Sequence, residues 1–177
     1  IGQGYNYDDP DFVLKNITIT NGNILDFTAI GVFCYNASHD DPSFGLLAFE
    51  SLTFTDLNIL DCGSSPSFDF ASGIDLDSSA NDSTYKNLIP VAYRNIIIEQ
   101  CQVNRCLGNT AIVVTTGDNV VISNTQANDL TNIVSAFSTF GYAVFAANIQ
   151  MNNCQGNRVQ DLYPVFGRQS GGALIQN

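Results

Sequence analysis

The chain has 177 residues, 45% of them hydrophobic and only 13% charged, with no Trp and a single Met. Seventeen acidic residues against six basic ones give a net charge of −11, which argues against nucleic acid or an anionic lipid surface as a partner. No apolar run is long enough to span a membrane, and the length suits one domain with a continuous core.

Residues 1–15 carry Tyr5, Tyr7 and the acids Asp8, Asp9 and Asp11. This stretch is expected to cap the open edge of the strands that follow, an edge any stacked-strand architecture must cover. At Asn16 a twelve-residue pattern begins, Asn16 to Phe27, and it returns from Ser51 to Cys62, Asn95 to Cys106, Asn119 to Leu130 and Asn148 to Val159. Successive starts lie 35, 44, 24 and 29 residues apart. Within each repeat the second, fourth, seventh, ninth and twelfth positions are apolar or small. The second column is Ile17, Leu52, Ile96, Val120 and Ile149; the fourth is Ile19, Phe54, Ile98, Ile122 and Met151. A period of two marks strands with one buried face, and a polar pair at positions five and six breaks it like a corner. A third strand is expected to close each repeat, at Gly45–Ala48, Pro90–Tyr93, Ala111–Val114, Tyr142–Phe145 and Gly172–Ile175. Asn177 then opens a sixth repeat, so the domain of residues 16–177 is expected to continue past it.

Regular repeats joined by loops of unequal length predict an all-β fold. The expected form is a right-handed parallel β-helix of five rungs plus the start of a sixth, the hand following the rule for parallel crossovers. Two insertions, Asn36–Phe44 with Asp40 and Asp41, and roughly Gly63–Leu88 with Asp75 and Asp77, project from it. Insertions of this kind commonly build a binding face.

Polar columns support the same register. Asn recurs in the first column (Asn16, Asn95, Asn119, Asn148) and in the tenth (Asn104, Asn128, Asn157), where stacked amides would form ladders. The eleventh reads Asp26, Asp61, Arg105, Asp129, Arg158; from the second repeat onward the charge alternates, so each Arg is expected to face an Asp on the repeats above and below it, Arg105 lying between Asp61 and Asp129. Cys62 and Cys106 share the twelfth column, and Cys101 and Cys154 the seventh with Thr125 between them. Inward cysteines act as small hydrophobes, and free thiols are expected, with Cys62–Cys106 the one pair close enough to oxidise. Sequons at Asn16, Asn36 and Asn81 are as many as chance produces with 20 Asn and 26 Ser plus Thr.

The acids Asp8, Asp9, Asp11, Asp40 and Asp41 are of the kind calcium accepts, but their spacing matches no calcium motif, and solvated loop acids are the simpler reading. No cofactor is otherwise implied. Gln160-Asp-Leu-Tyr163 followed by Gly167-Arg-Gln169 resembles a segment of the pectinesterases. That resemblance implies Asp161 as a general acid and Arg168 as its support. The family's Thr is absent, however, and Tyr142 stands where its catalytic Gln would be. Gly171-Gly-Ala-Leu174 and Phe145-Ala-Ala-Asn148 resemble the passenger repeats of chlamydial polymorphic outer-membrane proteins, which implies a surface adhesin. Most of residues 14–177 resembles the broad pectate-lyase-like β-helix architecture.

The expected function is therefore an extracellular or surface-displayed module with a structural, adhesive or glycan-contacting role and no catalysis of its own. Its outward Thr18, Thr20, Thr53, Thr55, Gln102, Gln126 and Gln155 would meet glycans or other copies, and its open far edge would favour self-association. The alternative is a polysaccharide-active enzyme, esterase or lyase.

Overall fold

The computed structural model describes residues 2–3, 13–28, 30–36, 47, 49–63, 73–78, 92–107, 110–130, 140–159, 163–168 and 173–176. Among them there is no helix. The strands are β1 (Gly2–Gln3), β2 (Leu14–Leu25), β3 (Val32–Asn36), β4 (Phe49–Leu60), β5 (Ile74–Ser78), β6 (Tyr93–Glu99) and β7 (Gln102–Asn104). They continue with β8 (Thr110–Ser123), β9 (Gln126–Leu130), β10 (Phe140–Asn152), β11 (Gln155–Val159), β12 (Tyr163–Arg168) and β13 (Ala173–Gln176). Every strand pairing is parallel.

The pairings fall into three series. The first halves of the repeats pair in the order β2, β4, β6, β8, β10, β13. Their second halves pair as β2, β4, β7, β9, β11. The closing strands pair as β1, β3, β5, β8, β10, β12. Strands β8 and β10 serve two series because each runs from a closing strand directly into the next repeat.

The register is the one the apolar columns demand. Ile19 lies beside Phe54, Phe54 beside Ile98, Ile98 beside Ile122, and Ile122 beside Met151. Phe54, Ile98 and Ile122 are fully buried, and burial of such a side chain contributes about 1.5–3 kcal/mol. A slip of one residue would turn this whole file outward.

What bends each repeat is a residue in left-handed conformation at its first, sixth and eleventh positions. In the third repeat these are Asn95, Gln100 and Arg105, with φ of 58°, 54° and 53°. The same three columns are left-handed in all five repeats, from Asn16 to Arg158. Asn and Asp adopt this conformation readily, whereas Arg and Gln do so at some cost. The bends keep the ladder intact: Gln100 N–H donates to Ser123 O at 3.0 Å and Arg105 N–H to Asn128 O at 3.0 Å.

Interior volume is balanced across the three series. Gly31 and Gly73 sit where a Cβ would come within 2.7 Å of Ile59 and 2.5 Å of Val103. In later repeats the ninth column shrinks to Ala127 and Gly156, and the larger Tyr142 enters from the closing strand, fully buried. Its hydroxyl donates to Gln155 O at 3.1 Å and lies 3.0 Å from Thr125 Oγ1. At the other end of the stack Tyr93 stacks on Phe49 with ring centroids 5.2 Å apart and donates to Cys34 O at 2.8 Å.

Three expected closing strands are corrected. In the first two repeats the closing strands are Val32–Asn36 and Ile74–Ser78; of the expected Gly45–Ala48 and Pro90–Tyr93, residues 45, 46, 48, 90 and 91 lie outside the described residues. Val32 and Cys34 point inward and Phe33 outward, an alternation too short to stand out in the sequence. Tyr93 instead starts β6 beside Phe49 and Gly117. In the fifth repeat the closing strand is Tyr163–Arg168, paired with Phe140–Phe145. Ala173 and Ile175 pair with Ile149 and Met151, so Ala173–Gln176 is already the first strand of a sixth repeat and Asn177 comes after that strand. The first repeat's strand also begins earlier than the pattern, at Leu14.

Candidate functional site

The most ordered outward surface is carried by β7, β9 and β11. Strand alternation sends Val103 and Ala127 inward, fully buried, and leaves Gln102, Gln126 and Gln155 exposed in one file. Two residues further along each strand, Asn128 Nδ2 donates to Asn104 Oδ1 at 2.8 Å and Asn157 Nδ2 donates to Asn128 Oδ1 at 2.8 Å. This amide ladder was expected, and it runs unbroken through three repeats. The next column holds the ion pairs. Arg105 grips Asp61 through Nε–Oδ1 at 2.8 Å and Nη2–Oδ2 at 2.6 Å. Arg158 holds Asp129 in the same forked manner, with Nη2–Oδ2 at 2.7 Å, so the column forms separate pairs, Arg105 bonding to Asp61 on one side rather than to the acids on both sides as expected.

These bonds hold the Asp61 and Asp129 carboxyls below their ordinary range and push both guanidinium groups up. The pairs are exposed, so they contribute little to stability, but a bidentate fork fixes geometry. The result is a grid of amides and paired charges. Its rows lie about 4.8 Å apart across the strands and about 6.6 Å apart along them. Such a grid offers donors and acceptors together, the complement of a hydroxyl-rich ligand, and presents no activated nucleophile.

A second charged file was not legible as such. The residue before each of the first four repeats reads Lys15, Glu50, Arg94 and Asp118, aligned by strand register. Lys15 pairs with Glu50 at 2.9 Å. Asp118 accepts from Asn148 Nδ2 at 2.9 Å, which is why the first-column ladder has a single step, Asn119 to Asn95 at 3.1 Å. Amide steps also occur where no ladder was expected, Asn153 to Asn124 at 3.0 Å and Asn58 to Asn23 at 3.2 Å. On the threonine columns, Thr55 Oγ1 donates to Thr20 Oγ1 at 2.9 Å.

The five cysteines are buried and free of disulfides. Burial pushes the Cys34 thiol up to about 11 and raises Cys101 and Cys154. Cys62 departs from this pattern. Interaction with the Cys106 thiol brings it down, while Cys106 is raised by the same interaction and by burial.

Of the other expected site residues, Asp8, Asp9, Asp11, Asp40, Asp41 and Asp161 lie outside the described residues. Arg168 ends β12, paired with Phe145. Asp75 is buried on β5. Among the described residues no three His, Cys, Asp or Glu gather as a metal cluster. Tyr142, at the position where the pectinesterase pattern has a catalytic Gln, is inside the core.

No family model matches this chain, and neither a curated protein nor a solved structure matches it.

Proposed function

We propose that the chain is a right-handed parallel β-helix, each repeat with its closing strand forming one turn, and that it serves as a non-catalytic module at a cell surface or in the extracellular space. The observation that carries this reading is the polar grid of Gln102, Gln126 and Gln155 beside Asn104, Asn128 and Asn157. Three repeats carry the same outward residue types, Gln and then Asn, although nothing in the core selects them. Hydrogen-bonded amide ladders hold the grid flat, so a polysaccharide chain could lie across it with little ordering cost. An amide and guanidinium surface with a net negative chain behind it suits neutral sugars better than anionic ones.

Binding of the protein to neutral and acidic polysaccharides, measured by affinity electrophoresis and calorimetry, tests the proposal. Retardation by a neutral polysaccharide that is lost in Gln126→Ala/Asn128→Ala would support it. Equal migration in every gel, or binding unchanged by that double substitution, would remove the glycan role and leave a purely structural module. The enzyme reading is the weaker one, because the only described position of the pectinesterase pattern that should face substrate, Tyr142, points into the core.

A further inference from the structure

Cys62 and Cys106 stand apart from the other three cysteines by geometry. They occupy the same column of adjacent parallel strands, where register partners have Cα atoms about 4.8 Å apart, inside the range a disulfide spans. Two backbone bonds clamp them on either side: Asp61 N–H to Asn104 O at 3.1 Å just before, and Leu107 N–H to Cys62 O at 2.9 Å just after. The residues that immediately precede them, Asp61 and Arg105, are locked together by the forked ion pair. Both side chains are fully buried. Neither is drawn to a third strand, since their hydrogen bonds run back to the residues just before them, Leu60 O at 3.6 Å and Asn104 O at 3.8 Å. No other couple is placed this way. Thr125 separates Cys101 from Cys154, donating to the latter at 3.4 Å, and Cys34 has Leu76 as its register partner.

We propose that Cys62 and Cys106 are a modification site, a dithiol that a peroxide converts to an inter-repeat disulfide. The Cys62 thiolate attacks one peroxide oxygen, the O–O bond breaks, and Cys62 becomes a sulfenic acid with release of one water. The Cys106 sulfur then attacks the Cys62 sulfur. The S–S bond forms, and the sulfenic oxygen leaves as a second water with the Cys106 proton. Two thiols and one hydrogen peroxide thus give one disulfide and two waters, the protein losing two electrons and the peroxide gaining them. The bond would fasten the second repeat to the third and close a loop over residues 63–105, which contains the longest interval between repeats.

The test exposes the reduced protein to hydrogen peroxide and maps its cysteines by mass spectrometry after alkylation under denaturing conditions. The expected result is a mass loss of two hydrogens, one linked peptide pair containing Cys62 and Cys106, and alkylated Cys34, Cys101 and Cys154. The thermal midpoint should rise on oxidation by about 5–10 °C, and Cys62→Ser and Cys106→Ala should abolish that rise. Two free thiols after exposure, a sulfinic acid on Cys62 with Cys106 untouched, or links that involve the other three would overturn the proposal. The mapping uses the unaltered protein, so its outcome stands even where a substitution prevents folding.

Discussion

Arg105 and Asp61, 44 residues apart in sequence, meet through two parallel hydrogen bonds on neighbouring strands. Arg158 and Asp129 repeat the arrangement 29 residues apart. Together with Lys15 and Arg94 in the other charged file, these arginines are four of the chain's six basic residues. Scarce positive charge has been placed where it faces a carboxylate on the adjacent repeat. The gain per exposed pair is small, so the value lies in register, since skipping one repeat would set Asp61 beside Asp129 and Arg105 beside Arg158. Arg105→Asp is expected to lower the thermal midpoint modestly, and Asp61→Arg/Arg105→Asp to restore most of it. A double substitution no better than the single one would mean that the column does not select register.

Gly73 is predicted to be intolerant of any side chain. A methyl group there would meet Val103 at 2.5 Å and the carbonyl of Ala111 at 3.0 Å. Overpacking of this kind costs about 1–3 kcal/mol. Gly73→Ala should therefore unfold at lower denaturant, and Gly73→Ala/Val103→Ala should recover part of the loss. Chemical denaturation of the four species as a cycle measures the coupling.

Gln100 has φ of 54° and an exposed side chain, so its backbone conformation can be tested without disturbing the core. Gln100→Gly should be neutral or stabilising, because glycine adopts this conformation freely. Gln100→Val should cost about 1–2 kcal/mol, a β-branched residue being the least suited to it. Equal stability of the two would remove the left-handed bend as a determinant of this fold.

The pH profile should fall at both ends. Asp61 and Asp129 have depressed folded-state values. Their contribution is complete above the ordinary carboxylate range, near pH 4, and is lost as pH falls through the folded values. Buried Cys34, Cys101, Cys154 and Tyr142 have raised values, so the folded state retains protons that the unfolded state sheds. That stability is complete below the ordinary thiol value of 9.0 and declines as pH rises beyond it. Tyr142→Phe should lose about 1 kcal/mol at neutral pH through its hydrogen bonds yet show a flatter decline above pH 10. Denaturant midpoints across the pH range would reveal an unchanged alkaline limb if the tyrosine is not responsible.

The parallel strands and their register were legible because Ile19, Phe54, Ile98, Ile122 and Met151 repeat a simple two-residue period whose cause, burial of one face, acts locally. The closing strands were harder. Val32 and Cys34 in one and Ile74 and Leu76 in the other are a short apolar signal, and Asp75, buried beside Ile74 and Leu76, breaks the alternation. The left-handed columns were half visible. Asn in the first column hinted at them, but Gln100, Arg105 and Arg158 carry no such preference and are held there by neighbouring strands. Of the candidate grid, the tenth and eleventh columns could be read from their residue types. The Lys15, Glu50, Arg94 and Asp118 file could have been found by extending the alignment one residue earlier.

Fifteen left-handed residues, spaced five apart within every repeat, make the twelve-residue segment a part of fixed length. A single residue added between Asn95 and Arg105 would bring one corner a residue late and send the remainder of that strand to the wrong face. Between repeats no such metering applies, and the chain there runs from 24 to 44 residues per step while the strands on either side stay in step. New sequence can therefore enter this protein at the joins without renegotiating the core. Foreign peptides inserted after Cys62 should be displayed with the stack beneath them undisturbed, whereas the same peptides placed after Ile98 should abolish it.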